Sequence, residues 1–176
     1  MLSEKTKSVI TDLNNLIDTC LEEELHYKAS TDSWSILECV EHICLVNGNV
    51  SKILQTPPPS SHENKLSEIH SEGKINHLLV TKRDTKRSAP SFVVPKGIFK
   101  TATEAKQVIE NDTKRILATL ETVDISKETH TVPHPALGEM TKTDWVHFLI
   151  SHTKRHLFQI EDIKMNFRNR LQTSQP

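Results

Sequence analysis

The segment from Thr141 to Ile163 constrains the fold more than any other part of the chain. At about 100° per residue, its large apolar side chains fall on one face of a helix: Trp145, Leu149, Ile160 and Ile163. Thr141 and Asp144 have the three-residue spacing of a capping box, which predicts that the helix begins at this point. A long helix with one apolar face has to bury that face against other helices. The segment therefore predicts a helical protein with a shared core.

Two histidines interrupt this apolar face. His152 and His156 lie four residues apart, so their side chains project from consecutive turns toward a common point. Imidazole nitrogens need partners where water is scarce, and two rings on one face are harder to satisfy than one. A shared divalent metal ion would satisfy both, and a pair of hydrogen-bonded core histidines is the alternative. His147 is predicted to face solvent on the opposite side of the helix.

Three further segments have the same amphipathic pattern. The first is predicted to run from about Ser3 to Tyr27. The second runs from about Ser35 to Gln55 and the third from Thr101 to about Thr122. Each of these two begins with a capping box, which Glu38 and Glu104 complete. Four long amphipathic helices predict an all-α four-helix bundle, a fold in which metal sites are built from facing helices.

A long crossover, residues 56–100, joins the second helix to the third. Three consecutive prolines, Pro57 to Pro59, end the second helix. Short helical turns are predicted between Leu66 and Thr81, the basic run 82–87 is predicted to be solvated, and Ser91 to Pro95 is predicted to be extended. A solvated crossover is the simplest interpretation, and a lid or a partner-docking loop is the alternative.

The chain is long enough for one domain, predicted to span residues 1–167 and to be followed by a flexible tail, 168–176, with little to pack. The 22 basic and 23 acidic residues nearly cancel, which does not favour a nucleic-acid binder. The sequence contains no apolar run long enough for a membrane span and no signal-peptide pattern. Cys20, Cys39 and Cys44 are odd in number and suit reduced thiols, so a cytoplasmic protein is predicted.

A metal site needs more than two histidines, because catalytic zinc usually has three protein ligands and one open position. His42, at the edge of the apolar stripe of the second helix, is the best third candidate. His134 is a candidate fourth ligand, since its loop enters the last helix. The remaining candidates lie at a helix end or in the crossover and fit less well: His26, His62, His70 and His77.

Two parts of the chain resemble the DinB/YfiT-like superfamily. One is Trp34-Ser-Ile-Leu-Glu-Cys-Val-Glu-His42-Ile. The other is His134-Pro-Ala-Leu-Gly-Glu-Met-Thr, followed by Trp145 and His152-Thr-Lys-Arg-His156-Leu-Phe-Gln-Ile. The resemblance implies a four-helix bundle of crossover-type topology and a homodimer. It also implies a divalent metal ion, often nickel or zinc, held by His42, His152 and His156.

A site of three imidazoles with an open position suits zinc or nickel better than calcium or magnesium. The metal could convert a bound water to hydroxide for hydrolysis, or bind a thiol as thiolate. The resemblance implies both uses, because the family includes S-transferases of low-molecular-weight thiols and proteins described as metal-dependent hydrolases.

We favour S-transfer to an electrophile, because no carboxylate is placed to act as the general base of a hydrolase. Glu38 and Glu41 flank His42 but are predicted to project toward solvent. Gln159, one turn past His156, is predicted either to hydrogen-bond to that ring or to lie on the helix surface. A non-catalytic, stress-related bundle with a structural metal is the remaining alternative.

Overall fold

Helices form most of the chain in the computed structural model, which describes residues 1–57, 72–83 and 88–173. Within these residues there are six α-helices: α1 (Leu2–Asp18), α2 (Glu22–His26), α3 (Ile36–Gln55), α4 (Glu72–Asn76), α5 (Ala102–Thr122) and α6 (Lys142–Thr173). The four long helices form the bundle, since α1 and α3 each pack against both α5 and α6. The predicted four-helix bundle is confirmed.

The core lies between the four long helices. Each of them contributes side chains with almost no exposure, among them Leu13, Ile43, Ile109 and Leu149. Burying an aliphatic side chain of this size stabilises a fold by about 1.5–3 kcal/mol. The apolar stripes that predicted the helices are therefore the faces that hold the bundle together.

Capping boxes fix where three of the long helices begin. In each box, the side-chain hydroxyl of the first residue accepts a hydrogen bond from the backbone N–H of the residue three positions later. The carboxylate of that later residue accepts a hydrogen bond from the backbone N–H of the first residue. The pairs are those predicted: Ser35 with Glu38, Thr101 with Glu104, and Thr141 with Asp144.

The first segment, predicted as one helix from Ser3 to Tyr27, is divided into α1 and α2. The Thr19 hydroxyl donates to a carbonyl of α1 at 2.7 Å. The backbone N–H of Leu21 donates to the Glu24 carboxylate at 3.1 Å. Glu24 is fully buried and accepts a hydrogen bond from Arg168 at 3.0 Å. The interruption between α1 and α2 allows Glu24 to contact α6. Because α6 is distant in sequence, the apolar pattern of the first segment could not predict this interruption.

The last helix, α6, continues past residue 167, the predicted end of the domain. Residues 168–173 belong to α6, and residues 174–176 of the predicted tail lie outside the described residues. The ammonium group of Lys164 donates to Thr19 at 2.6 Å, while Arg168 contacts Glu24. These contacts join the C-terminal part of α6 to the junction of α1 and α2, and Arg168 is the residue after 167 that takes part in them. Residues 168–173 are exposed.

A β-hairpin stands where a loop was predicted before the last helix. Strand β1 (Thr131–His134) pairs with strand β2 (Gly138–Thr141) in antiparallel register. The sequence favoured a loop because Pro133 cannot donate a hydrogen bond within a sheet. The Trp145 indole N–H donates to the Val132 carbonyl at 3.2 Å. The hairpin is thereby fixed against the first turn of α6.

Residues 72–83 of the crossover pack against α6. Helix α4 continues into a π-helical turn, His77–Thr81, so helical turns are present where the sequence predicted them. Residues 58–71 and 84–87, with His62, His70 and most of the basic run, lie outside the described residues. A 3-10 turn, Ser91–Val93, occupies the start of the segment predicted to be extended.

The position of His147 corrects another expectation. Its side chain is only 15% exposed, and its Nδ1 lies 3.9 Å from the carboxylate of Glu72 in α4. The helical wheel placed His147 toward solvent because it could not include α4, which covers that side of α6.

Candidate metal centre

Three histidines from two helices meet inside the bundle. His42 comes from α3, and His152 and His156 come from consecutive turns of α6. The Nε2 atom of His152 lies 3.1 Å from that of His42 and 3.2 Å from that of His156. All three side chains are buried. The structure therefore brings together the three residues that the sequence singled out, and their Nε2 atoms lie close to one another.

Hydrogen bonds at the opposite ring nitrogens set the tautomers of two of these histidines. The Nδ1–H of His42 donates to the Val93 carbonyl at 2.7 Å, because a carbonyl oxygen can only accept. The Nδ1–H of His156 donates to the Gln159 amide oxygen at 2.8 Å. Gln159 is therefore a hydrogen-bond partner of the site. In a neutral ring with its proton on Nδ1, the lone pair at Nε2 is free to bind a metal ion.

The convergence of these nitrogens fits a cation. Desolvation by burial lowers the pKa of His156 to about 3 and that of His152 well below its usual range, and the neighbouring histidines lower both further. Protonation of His152 and His156 is therefore unfavourable, and their Nε2 lone pairs stay available to a cation. Nδ1 of His152 is buried and has no hydrogen-bond partner among residues 1–57, 72–83 and 88–173. Three neutral imidazoles so arranged can hold a divalent metal ion.

The Val93 carbonyl belongs to a segment that Glu41 holds in place. Glu41 was predicted to face solvent, yet it is only 2% exposed, because the end of the crossover folds over this side of α3. Its carboxylate accepts three consecutive backbone N–H groups, at 2.7, 2.8 and 3.0 Å, from Lys96, Gly97 and Ile98. Gly97 has a φ of +69°, a conformation that favours glycine. Sequence reasoning missed Glu41 and Val93, and the only local signal was an acidic residue directly before His42.

His134 is not part of the histidine group. Its Nδ1 accepts the backbone N–H of Ala136 at 3.1 Å, and its ring packs 5.2 Å from Trp145 and 4.7 Å from Phe148. Desolvation by burial lowers its pKa to about 4. Within the described ranges, the group able to hold a metal contains only His42, His152 and His156. The structure therefore does not place His134 as a fourth ligand.

A cleft of about 1150 Å³ opens onto the three histidines. Much of its wall is aromatic or apolar, including Trp34, whose ring lies 4.9 Å from that of His42. In the part of the chain that the structure describes, the acidic residues that line it are Asp32 and Asp162, and Asp162 accepts a hydrogen bond from Arg83 at 2.8 Å. Glu41 does not line the cleft. The histidine group is thus accessible to a small molecule through this cleft.

Comparison with known proteins agrees with this fold. The Bacillus subtilis (strain 168) protein YuaE, described as uncharacterized, is 27% identical over 143 residues, covering 81% of this chain and 85% of that protein. A crystal structure of TT2238, described as a four-helix bundle protein, superposes with a TM-score of 0.60 at 15% identity and covers 92% of this chain and 96% of that one.

None of the described helices combines the length and the apolar character that crossing a membrane requires.

The sequence profile of the DinB superfamily matches residues 6–160, which is most of the chain and includes all three histidines of the buried group. The chain therefore belongs to the DinB superfamily.

Proposed function

We propose that this protein is a metal-dependent enzyme that activates a low-molecular-weight thiol for S-transfer to an electrophile. The observation that carries the proposal is the convergence of the Nε2 atoms of three buried histidines that line an open cleft. His42, His152 and His156 would hold the ion, and the all-nitrogen donor set favours zinc or nickel. When bound there, such an ion lowers the pKa of a thiol, which makes the sulfur nucleophilic at neutral pH.

The chain's own residues would orient the site and exclude water. The Val93 carbonyl and Gln159 hold the rings of His42 and His156 so that neither can rotate without losing a hydrogen bond. The aromatic side chains of Trp34 and Phe148 border the cleft and can contact the apolar body of an electrophile. In the overall reaction, the thiol proton is released, a carbon–sulfur bond forms, and the leaving group departs with its electron pair.

Two observations favour this function over the alternatives. A carboxylate general base would assist hydrolysis, yet the buried Glu41 carboxylate is occupied by three backbone N–H groups. Of the two acidic residues that line the cleft in the described part of the chain, Asp162 is paired with Arg83 and Asp32 is exposed to solvent. A structural zinc site usually has four protein ligands. Within the residues described, three histidines form the group and His134 is engaged elsewhere.

Metal analysis and a thiol-transfer assay test the proposal together. Protein purified without chelator should contain a single zinc or nickel ion per chain. With that metal, it should accelerate the reaction of monochlorobimane with at least one of four thiols: cysteine, glutathione, coenzyme A and a cysteinyl amino-sugar thiol.

The His152→Ala variant should lose both the metal and the acceleration, because one of three ligands is removed. His26→Ala is the matched control, since His26 is an exposed histidine on α2. The proposal is wrong if His152→Ala binds metal and accelerates the reaction as well as the unsubstituted protein does. The homodimer and the cytoplasmic location stay predictions.

A further inference from the structure

We propose that His134 is a ligand-binding residue whose Nε2–H donates a hydrogen bond to a carbonyl or carboxylate oxygen of the thiol bound in the cleft. The inference rests on the proposed function and narrows the substrate to one class. That class is thiols built on cysteine, in which such an oxygen lies a few bonds from the sulfur.

The tautomer of His134 follows from its partner. The backbone N–H of Ala136 can only donate, so Nδ1 of His134 must accept and cannot carry a proton. The ring is therefore neutral, and its proton lies on Nε2. No group among residues 1–57, 72–83 and 88–173 accepts a hydrogen bond from that nitrogen, and the nitrogen is not sealed from solvent. A donor of fixed direction is thus available to a ligand.

The surroundings of His134 keep this donor in place. The residue ends β1, where it pairs with Gly138 across the hairpin. Its ring packs against Trp145 and Phe148, and the Phe148 ring lies 5.1 Å from that of His152. One aromatic ring therefore separates His134 from the histidine group, and both line the same cleft. A ring held on two sides loses little freedom when it binds a ligand.

The position of this donor indicates the ligand class. His134 and the histidine group line one cleft, with the Phe148 ring between them. A small thiol whose sulfur lies at the histidine group would extend along this cleft, and in our proposal an oxygen farther along it pairs with His134. Cysteine and its amides carry a carbonyl carbon two carbons from the sulfur. The neighbouring wall is aromatic, and a polar group built to pair with a ligand disfavours analogues that leave it unpaired. The donor should therefore discriminate against simple alkanethiols.

Ligand affinity, rather than turnover, tests the inference. Cobalt-loaded protein is titrated with 3-mercaptopropionamide and with 1-butanethiol, and the visible absorption of the metal reports binding. The amide places a neutral carbonyl oxygen where the alkanethiol has only hydrocarbon, so net charge does not differ between the two. The unsubstituted protein should bind the amide about three- to tenfold more tightly, as one additional neutral hydrogen bond implies.

Two variants locate the preference. His134→Phe keeps an aromatic ring without the donor and should bind both thiols with equal affinity. His134→Gln should restore part of the preference, because its amide nitrogen is a donor at a similar reach. Metal content, measured for each variant, should not change.

The outcomes also separate this inference from the proposed function. Binding of both thiols without a preference, or a preference that survives in His134→Phe, overturns the role of His134 and leaves thiol binding intact. If neither thiol changes the spectrum, thiol recognition itself is refuted, and this inference with it.

Discussion

Replacing Glu41 with glutamine should weaken both the fold and the metal site. The Glu41 carboxylate accepts three backbone N–H groups while only 2% of the residue is exposed. It holds the segment whose Val93 carbonyl orients His42. Glutamine has nearly the same shape, but it offers one acceptor oxygen and one donor nitrogen in place of two acceptor oxygens.

The cost follows from the three hydrogen bonds. One carboxylate oxygen accepts from Gly97 and Ile98, at 2.8 and 3.0 Å, and the other accepts from Lys96 at 2.7 Å. The glutamine oxygen can keep the first two, and the Lys96 N–H then faces another donor. A buried unpaired donor costs about 1–3 kcal/mol, and the two retained bonds lose their charge assistance. The free energy of unfolding should fall by about 2–4 kcal/mol.

The metal should also bind less tightly. Loss of a group that orients a metal-binding histidine typically lowers metal affinity by about 10–100-fold. Urea denaturation of the chelator-treated protein measures the first effect, and competition with a chromogenic chelator measures the second.

Glu38→Gln is the matched control, because Glu38 lies one turn earlier in α3 and is partly exposed. Glutamine can still complete the capping box with Ser35, so only the ion pair with Lys28 is lost, at a cost of about 0–1 kcal/mol. A Glu41→Gln protein with unchanged stability and metal affinity would refute the reasoning. Reduced stability with unchanged affinity would show that His42 does not depend on this segment.

Gln159→Leu should lower metal affinity by about 10–100-fold in the chelator competition, because His156 loses the acceptor of its Nδ1–H. Thr141→Ala should lower the free energy of unfolding by about 0.5–2 kcal/mol in urea, since it removes the hydroxyl bonded to Asp144, and an unchanged midpoint would contradict the cap. Chelator-treated protein should lose stability below about pH 6.5, where the unfolded histidines take up protons while burial holds the pKa of His134 near 4 and that of His156 near 3. The His134→Phe variant should lose less of its free energy of unfolding between pH 7 and pH 4 than the unsubstituted protein does, because it lacks one such histidine. Equal losses in the two proteins would argue against a lowered pKa for His134.

Local patterns were sufficient to predict where the four long helices lie and that His152 and His156 share one helix face. The capping boxes join residues three positions apart, and the spacing of His152 and His156 is a property of one helix. His42 required more, because His152, whose Nε2 atom lies against that of His42, is 110 residues away in the sequence. The edge of an apolar stripe selected it, together with the family resemblance of the segment from Trp34 to Ile43.

Contacts between distant segments account for the errors. Glu41 is buried because residues 55 to 57 positions later fold onto it, and His147 is covered by α4. The hairpin forms despite Pro133, whose missing N–H made a loop the better prediction. In each case tertiary contacts outweigh a correct local rule.

The buried Glu24 carboxylate sets a limit on how far the protein can be shortened. Arg168 reaches it from a position 144 residues away, and Lys164 lies 4.0 Å from the same carboxylate. A truncation at residue 167 would delete the guanidinium and leave a buried anion with one distant cation, a situation that proteins tolerate poorly. Any shortened version of the protein should therefore retain Arg168, because its guanidinium compensates the buried charge of Glu24.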